Sequence, residues 1–251
     1  MESGWWKVNG LNMHARFETS LAPYNAPTVV LVHGLGASHR YMEPLIHELA
    51  PYVAVFALDL PGFGRSEKPR EVFSISQLAD SLGEWLKAAH LDRPILFGHS
   101  MGCQVVVDLA ARHPEIASGL VLEAPTADKT HRTLWQQSWR LAMSGWREKT
   151  GGLGWILVRD YWICGFRRFS GTVSAILEDH IELKLPRVSV PTLVIVGSRD
   201  DLVPVRWAET VTNLLPKGTL RIVPKASHAI NYYFPSESRL LLMDFLRHER
   251  L

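Results

Sequence analysis

The chain has 251 residues, 47% hydrophobic and 21% charged, a globular composition that excludes a disordered tail, a collagen-like repeat and a coiled-coil rod. With 27 basic against 25 acidic residues the net charge is +2, too balanced for an obligate nucleic-acid binder. No apolar run is long enough to span a membrane, the first residues lack a signal-peptide pattern, and Cys103 and Cys164 alone make no disulfide framework or cysteine-rich metal site, so a cytoplasmic protein is expected.

In chain order, residues 5–17, broken by Asn9-Gly10, predict an antiparallel hairpin at a sheet edge. Short β-branched runs follow at 29–32, 53–58, 95–97, 120–122 and 193–196, each ending in Gly or a polar residue. Such runs predict strands buried on both faces, and therefore a parallel sheet in an α/β fold. Between them lie segments of helical period, clearest at 74–89, where Ser74 and Gln77 form a capping-box signature. From 126 to 186 the rhythm stops, no strand is legible, and Trp135, Trp139, Trp146, Trp155 and Trp162 stand among many arginines. Gly151-Gly152 with Gly154 predicts a break between helices there. This segment is expected to be an inserted helical cap on a single domain whose core is 1–125 and 187–251. Most of its tryptophans should pack against the sheet, with one or two lining a pocket. No amphipathic lid with a continuous apolar face is legible, which disfavours interfacial, lipase-type action.

Gly98-His99-Ser100-Met101-Gly102 follows a buried run and opens a helical one, the strand–turn–helix context in which G-x-S-x-G carries a nucleophile. A sharp turn there requires small flanking residues and lifts the Ser100 hydroxyl clear of the sheet. It also sets the backbone N–H of Met101 at a helix amino terminus, where developing negative charge is favoured. A serine hydroxyl needs a base, itself oriented by a carboxylate, and in this context the order should be Ser, acid, His. Of the histidines beyond His113, His131 and His180 fall in the cap and His248 at the carboxyl end, which leaves His228, just after the run 220–223. The segment 197–204 offers Asp200 and Asp201 as the acid, and spacing alone does not choose.

Five motifs in order then resemble the α/β-hydrolase superfamily, in its capped serine members: His33-Gly34-Leu35-Gly36, the segment 59–66 (Asp-Leu-Pro-Gly-Phe-Gly-Arg-Ser), Gly98–Gly102, Gly197–Pro204, and His228 followed by Pro235. The resemblance implies a mostly parallel eight-stranded sheet with flanking helices. It selects Asp200 as the acid and adds the backbone N–H of Leu35 as a second oxyanion donor beside Met101. Ser100 separates the chain from the dehalogenases and epoxide hydrolases of this fold, which use an aspartate at the turn. No phosphate-binding or metal-ligand motif is present, so chemistry without cofactor or metal is expected.

The implied activity is hydrolysis of small to medium carboxylic esters through an acyl-enzyme. Between Asp128 and Arg168 stand eight basic and three acidic residues, a bias able to steer an acidic partner. In that, the chain is similar to the esterases that cleave a methyl ester borne on an acidic acyl carrier protein. The alternative is carbon–carbon bond hydrolysis of a ring-fission product, with Arg167 or Arg168 holding its carboxylate.

Overall fold

The computed structural model describes residues 1–126 and 152–251. Its core is one eight-stranded sheet of order β1-β2-β4-β3-β5-β6-β7-β8. Strands β1 (Glu2–Val8) and β2 (Leu11–Glu18) form the expected hairpin. Its turn residues Asn9 and Gly10 both take positive φ, 49° and 84°, the conformation that matches a two-residue turn to strand twist. Strand β2 pairs antiparallel with β4 (Ala54–Leu58). All further pairings, through β3 (Thr28–Val32), β5 (Ile95–His99), β6 (Gly119–Glu123), β7 (Thr192–Gly197) and β8 (Gly218–Val223), are parallel.

Both faces of this sheet are covered, so alternate residues of one strand enter two different apolar layers. Val30 and Val32 face helices α2 (Ile75–Ala88) and α3 (Met101–Arg112), in a layer with Leu82, Trp85 and Val106. Val29 and Leu31 face α1 (Glu43–Leu49) and the carboxyl-terminal helix, in a layer with Ile46, Leu49, Phe245 and Leu246. The capping box forms as predicted: the Gln77 N–H donates to Ser74 Oγ, and the Ser74 N–H to Gln77 Oε1.

Between β6 and β7 the described residues form α4 (Gly152–Cys164), α5 (Phe166–Glu178) and the short α6 (Ile181–Lys184). Gly152 and Gly154 lie in the first turn of α4, whose N–H groups lack intrahelical partners in any case, and Gly151 lies outside the described residues. A break between helices falls at Gly165, where φ is 81° and the chain turns from α4 into α5. Trp135, Trp139, Trp146, His131, Lys129, Arg132, Arg140, Arg147 and Lys149 lie outside the described residues.

Helix α4 carries the two cap tryptophans that lie among the described residues. Its inner side buries Leu153, Asp160 and Cys164, while Trp155 and Trp162 face outward, 80% and 88% exposed. Val158 on the same side, and Phe166 at the start of α5, are exposed as well. A helix apolar on both sides shows no polar–apolar periodicity, so the sequence gives no sign of an exposed apolar stripe. Among the described residues no helix is long and apolar enough to cross a membrane.

The remaining helices are α7 (Val205–Leu214), α8 (Ile230–Tyr233) and α9 (Pro235–Glu249).

Candidate active site

Ser100 sits between β5 and α3 with φ 56° and ψ −119°, backbone geometry that a non-glycine residue adopts only when its surroundings impose it. Two glycines make that possible by allowing close approach. A Cβ at Gly102 would stand 2.2 Å from the Val32 carbonyl oxygen, and one at Gly98 2.6 Å from the backbone nitrogen of Cys103. The Ser100 N–H is held by the Glu123 carbonyl at 2.9 Å, and the Ser100 carbonyl accepts the Cys103 N–H at 3.0 Å. Cys103 is a buried thiol donating to the carbonyls of Gly98 and Glu123, and burial pushes its pKa well up.

The structure brings Ser100, His228 and Asp200 together. His228 Nε2 lies 3.0 Å from Ser100 Oγ, and Nδ1 lies 2.8 Å from Asp200 Oδ2. The other Asp200 oxygen accepts the N–H groups of Leu202 and Val203, each at 2.8 Å, so the carboxylate is fixed by its own turn and buried. Gly197 closes the gap between the two loops. A Cβ there would meet the carbonyl oxygens of Ala226 and Ser227 at 2.3 and 2.5 Å. That contact accounts for the first glycine of the 197–204 motif.

The loop after β3 runs beside the serine, with the space of a Gly34 Cβ only 3.2 Å from Ser100 Cβ. His33 pins this loop: Nδ1–H donates to the Gly34 carbonyl at 2.8 Å, and Nε2 accepts the Leu60 N–H at 3.1 Å. Burial pushes the His33 pKa down, which keeps that tautomer neutral. The N–H groups of Leu35 and Met101 donate to no acceptor among the described residues. From above, α4 closes on the same loop. Buried Asp160 accepts from Ser38 Oγ at 2.5 Å and from Arg40 Nη1 at 2.9 Å, and the rings of Tyr161 and Phe169 cover Gly36.

Two residues of this region carry no sequence motif. Tyr41 Oη accepts the Gly34 N–H and donates to His99 Nδ1, both at 2.8 Å, while His99 Nε2–H donates to the His228 carbonyl at 3.0 Å. One buried relay thereby ties together the loop after β3, the serine turn and the histidine loop. Burial and the neighbouring His228 hold the His99 pKa down at about 3, so the relay stays neutral. Glu123, at the end of β6, is fully buried. It accepts the Asn231 N–H at 2.9 Å and the Ser238 hydroxyl at 2.6 Å, and burial pushes its pKa up to about 7. The only sequence signal for it was an acid placed directly after an apolar run.

Among the described residues His14, His39 and Asp59 bring metal-capable atoms within 4.8 Å of one another. The Asp59 carboxylate already receives both imidazole Nδ1 atoms at 2.9 Å and the N–H groups of His39 and Arg65. These hydrogen bonds hold its pKa well below the usual carboxylate range, against the opposing effect of burial, which is the largest influence on it. The cluster reads as a buried tie between β2 and the turn after β4.

The sequence profile of the alpha/beta hydrolase fold matches residues 27–154. A protein of Yersinia enterocolitica named "Putative carbamate hydrolase RutD" is 25% identical over 243 residues, covering 88% of this chain and 87% of that one. A rice protein named "Probable 1-acylglycerol-3-phosphate O-acyltransferase" is 35% identical over 129 residues, 48% of this chain but only 31% of its own length. Among solved structures, a membrane phospholipase A superposes with a TM-score of 0.84 at 23% identity, covering 99% of this chain and 86% of that one, a likeness of fold.

Proposed function

Since the chain belongs to the alpha/beta hydrolase fold family, we propose that it is a serine hydrolase of carboxylic esters, with Ser100 as nucleophile, His228 as base and Asp200 as its orienting acid. The observation that carries this is the unbroken hydrogen-bond sequence from Ser100 Oγ through both nitrogens of His228 to Asp200. His228 Nε2 takes the hydroxyl proton as Ser100 Oγ bonds to the ester carbonyl carbon. Asp200 keeps the proton on Nδ1 and stabilises the imidazolium. The oxyanion is received by the N–H groups of Leu35 and Met101, each such donor being worth about 3–4 kcal/mol in the transition state. The imidazolium then gives its proton to the departing alcohol. Water, deprotonated by the same nitrogen, releases the acid and restores Ser100.

We take residues 126–186 as the cap over a core of 1–125 and 187–251, and small to medium acyl groups as the substrates it admits. A carbamate carbonyl follows the same steps, and the RutD relatives that match along most of the chain make it the second substrate class to try. The carbon–carbon alternative is less favoured, because Arg168 spends donors on the carbonyls of Pro69 and Glu71 instead of holding them for a substrate carboxylate.

The test is turnover of p-nitrophenyl esters of increasing acyl length, an aryl carbamate, a carrier-protein methyl ester and a ring-fission dienol, by the native chain and by Ser100→Ala. Ester hydrolysis lost on the order of a million-fold in Ser100→Ala is the expected result. Ester hydrolysis that survives the substitution, or turnover confined to the dienol, overturns the assignment.

A further inference from the structure

The outer side of α4 is unusual for a surface helix. Trp155, Val158 and Trp162 recur at helical spacing and Phe166 continues the row, exposed by 80, 61, 88 and 87%. Together these side chains leave on the order of 500 Å² of apolar surface in water, as large as the largest patch on a typical monomer. Arg159 stands on the same face, exposed between the two tryptophans.

At the corner where α4 meets α5, Phe166 also lines a groove of about 230 Å³ with Lys68, Arg70, Arg167 and Arg168, and among the described residues no carboxylate lines it. Among the described residues none of these four cations forms an ion pair. Lys68 donates to the Ile163 carbonyl, and Arg168 donates to the carbonyls of Pro69 and Glu71 at 2.6 and 3.1 Å. The Arg168 Nε–H is buried with no acceptor, an orphaned donor beside unneutralised charge. The groove is therefore short of an anion, and the apolar row begins at its rim.

Which occupant answers both needs follows from shape and charge. The apolar row is convex, so a protein partner would need a matching hollow, whereas a fluid bilayer conforms to it. A second copy of the chain on the same face would bring Arg159 and the groove cations against their own equivalents, like charge on like. Tryptophan at the headgroup level with flanking basic residues is the composition that a lipid interface selects. We propose that the outer face of α4 and the adjoining groove dock the protein peripherally on a bilayer containing anionic phospholipid, with Trp155, Trp162 and Phe166 at the headgroup–acyl boundary and Arg70 and Arg167 on lipid phosphates. This stands apart from the proposed ester hydrolysis and holds whatever bond Ser100 attacks.

The experiment is co-sedimentation of the full chain with vesicles of phosphatidylcholine alone and of phosphatidylcholine with phosphatidylglycerol, at low and high salt. The expected result is binding to the anionic vesicles with a blue shift of tryptophan emission, weakened by salt as exposed charges are screened. Trp162→Ser with Phe166→Ser should weaken it about tenfold or more by removing inserted apolar area. Arg70→Glu with Arg167→Glu should abolish the preference for phosphatidylglycerol. Turnover of soluble p-nitrophenyl esters should be unchanged in both double variants, which shows that they fold. Several results overturn the proposal: no binding to either vesicle, binding that the variants leave intact, or saturation by inorganic phosphate without any vesicle binding. So do a native dimer that Trp162→Ser dissociates, and tryptophans already shielded from a soluble quencher without lipid.

Discussion

The turn that carries Ser100 and the helix pair α4–α5 meet the same loops, yet they are held by opposite means. Around Ser100 the closest contacts are backbone to backbone. Gly102 lies on the Val32 carbonyl, Gly197 on the Ala226 carbonyl, and the Ser100 N–H is fixed by Glu123. The helix pair is tied down largely by side chains: Asp160 to Ser38 and Arg40, Arg168 to Pro69 and Glu71, and Gln104 to the Ile176 carbonyl. A backbone contact tolerates no added atom, whereas a side-chain contact can be rebuilt with different residues. The Ser100 turn is thus built mainly from the first kind, and the seat of the outer helix pair from the second.

Glycine substitutions press this contrast hardest. Gly102→Ala puts a methyl group 2.2 Å from a carbonyl oxygen of β3 that cannot move without dislocating the sheet. It should cost about 3 kcal/mol or more in urea unfolding and remove ester turnover. Gly152→Ala, by contrast, meets only the Tyr232 hydroxyl, a movable side-chain end, at 2.9 Å. It should be neutral or stabilise α4 by about 0.5 kcal/mol. Equal losses at the two positions would break the distinction.

Glu123 supplies a pH test of the backbone-built region. Its folded pKa of about 7 stands above the ordinary 4.5, so the folded state holds a proton that the unfolded chain gives up. The stability this confers is complete below about pH 4.5 and is lost as pH rises through about 7, by roughly 3 kcal/mol in all. His33 and His99, with pKa values pushed down, add an opposing rise below about pH 6.5 to the native chain and to Glu123→Gln alike. The urea midpoint of the native chain minus that of Glu123→Gln should therefore fall between about pH 5 and 8, because the amide mimics the protonated acid. Asp59, with its pKa shifted down, acts only in the acid range and does not mask the effect.

The smallest expected loss is at Tyr41→Phe, which leaves the Gly34 N–H and His99 Nδ1 without their shared partner. We expect about 1–3 kcal/mol of lost stability. A drop in kcat with KM nearly unchanged, as the loop bearing Leu35 loosens, would separate this positioning role from plain packing.

The same contrast explains what could be read in advance. The parallel strands were legible because burial on both faces leaves uninterrupted β-branched runs, and the hairpin because Asn9-Gly10 suits its turn. Ser100 and His228 were legible because close backbone approach demands glycines at fixed offsets from the serine, and chain order then leaves one histidine. Asp200 over Asp201 was a matter of resemblance, and the geometry now places Asp200 against His228. Tyr41 was invisible because its partners are 7 and 58 residues away and a hydroxyl between them leaves no pattern. The outer face of α4 was missed for a related reason. Periodicity reveals a helix with one apolar side, and this helix has two.

The strained backbone at Ser100 is imposed by neighbours on both sides, and nothing that imposes it touches the hydroxyl itself: the constraints act on Gly98, Gly102 and the main chain of residue 100. The turn therefore works as a socket, presenting whatever side chain occupies it at the same point beside the same imidazole. Such a socket makes the reaction type exchangeable at one position. An oxygen, a sulfur or a carboxylate could be offered in turn while the sheet and the turn stay as they are, so new chemistry can arise here by point substitution without any new fold.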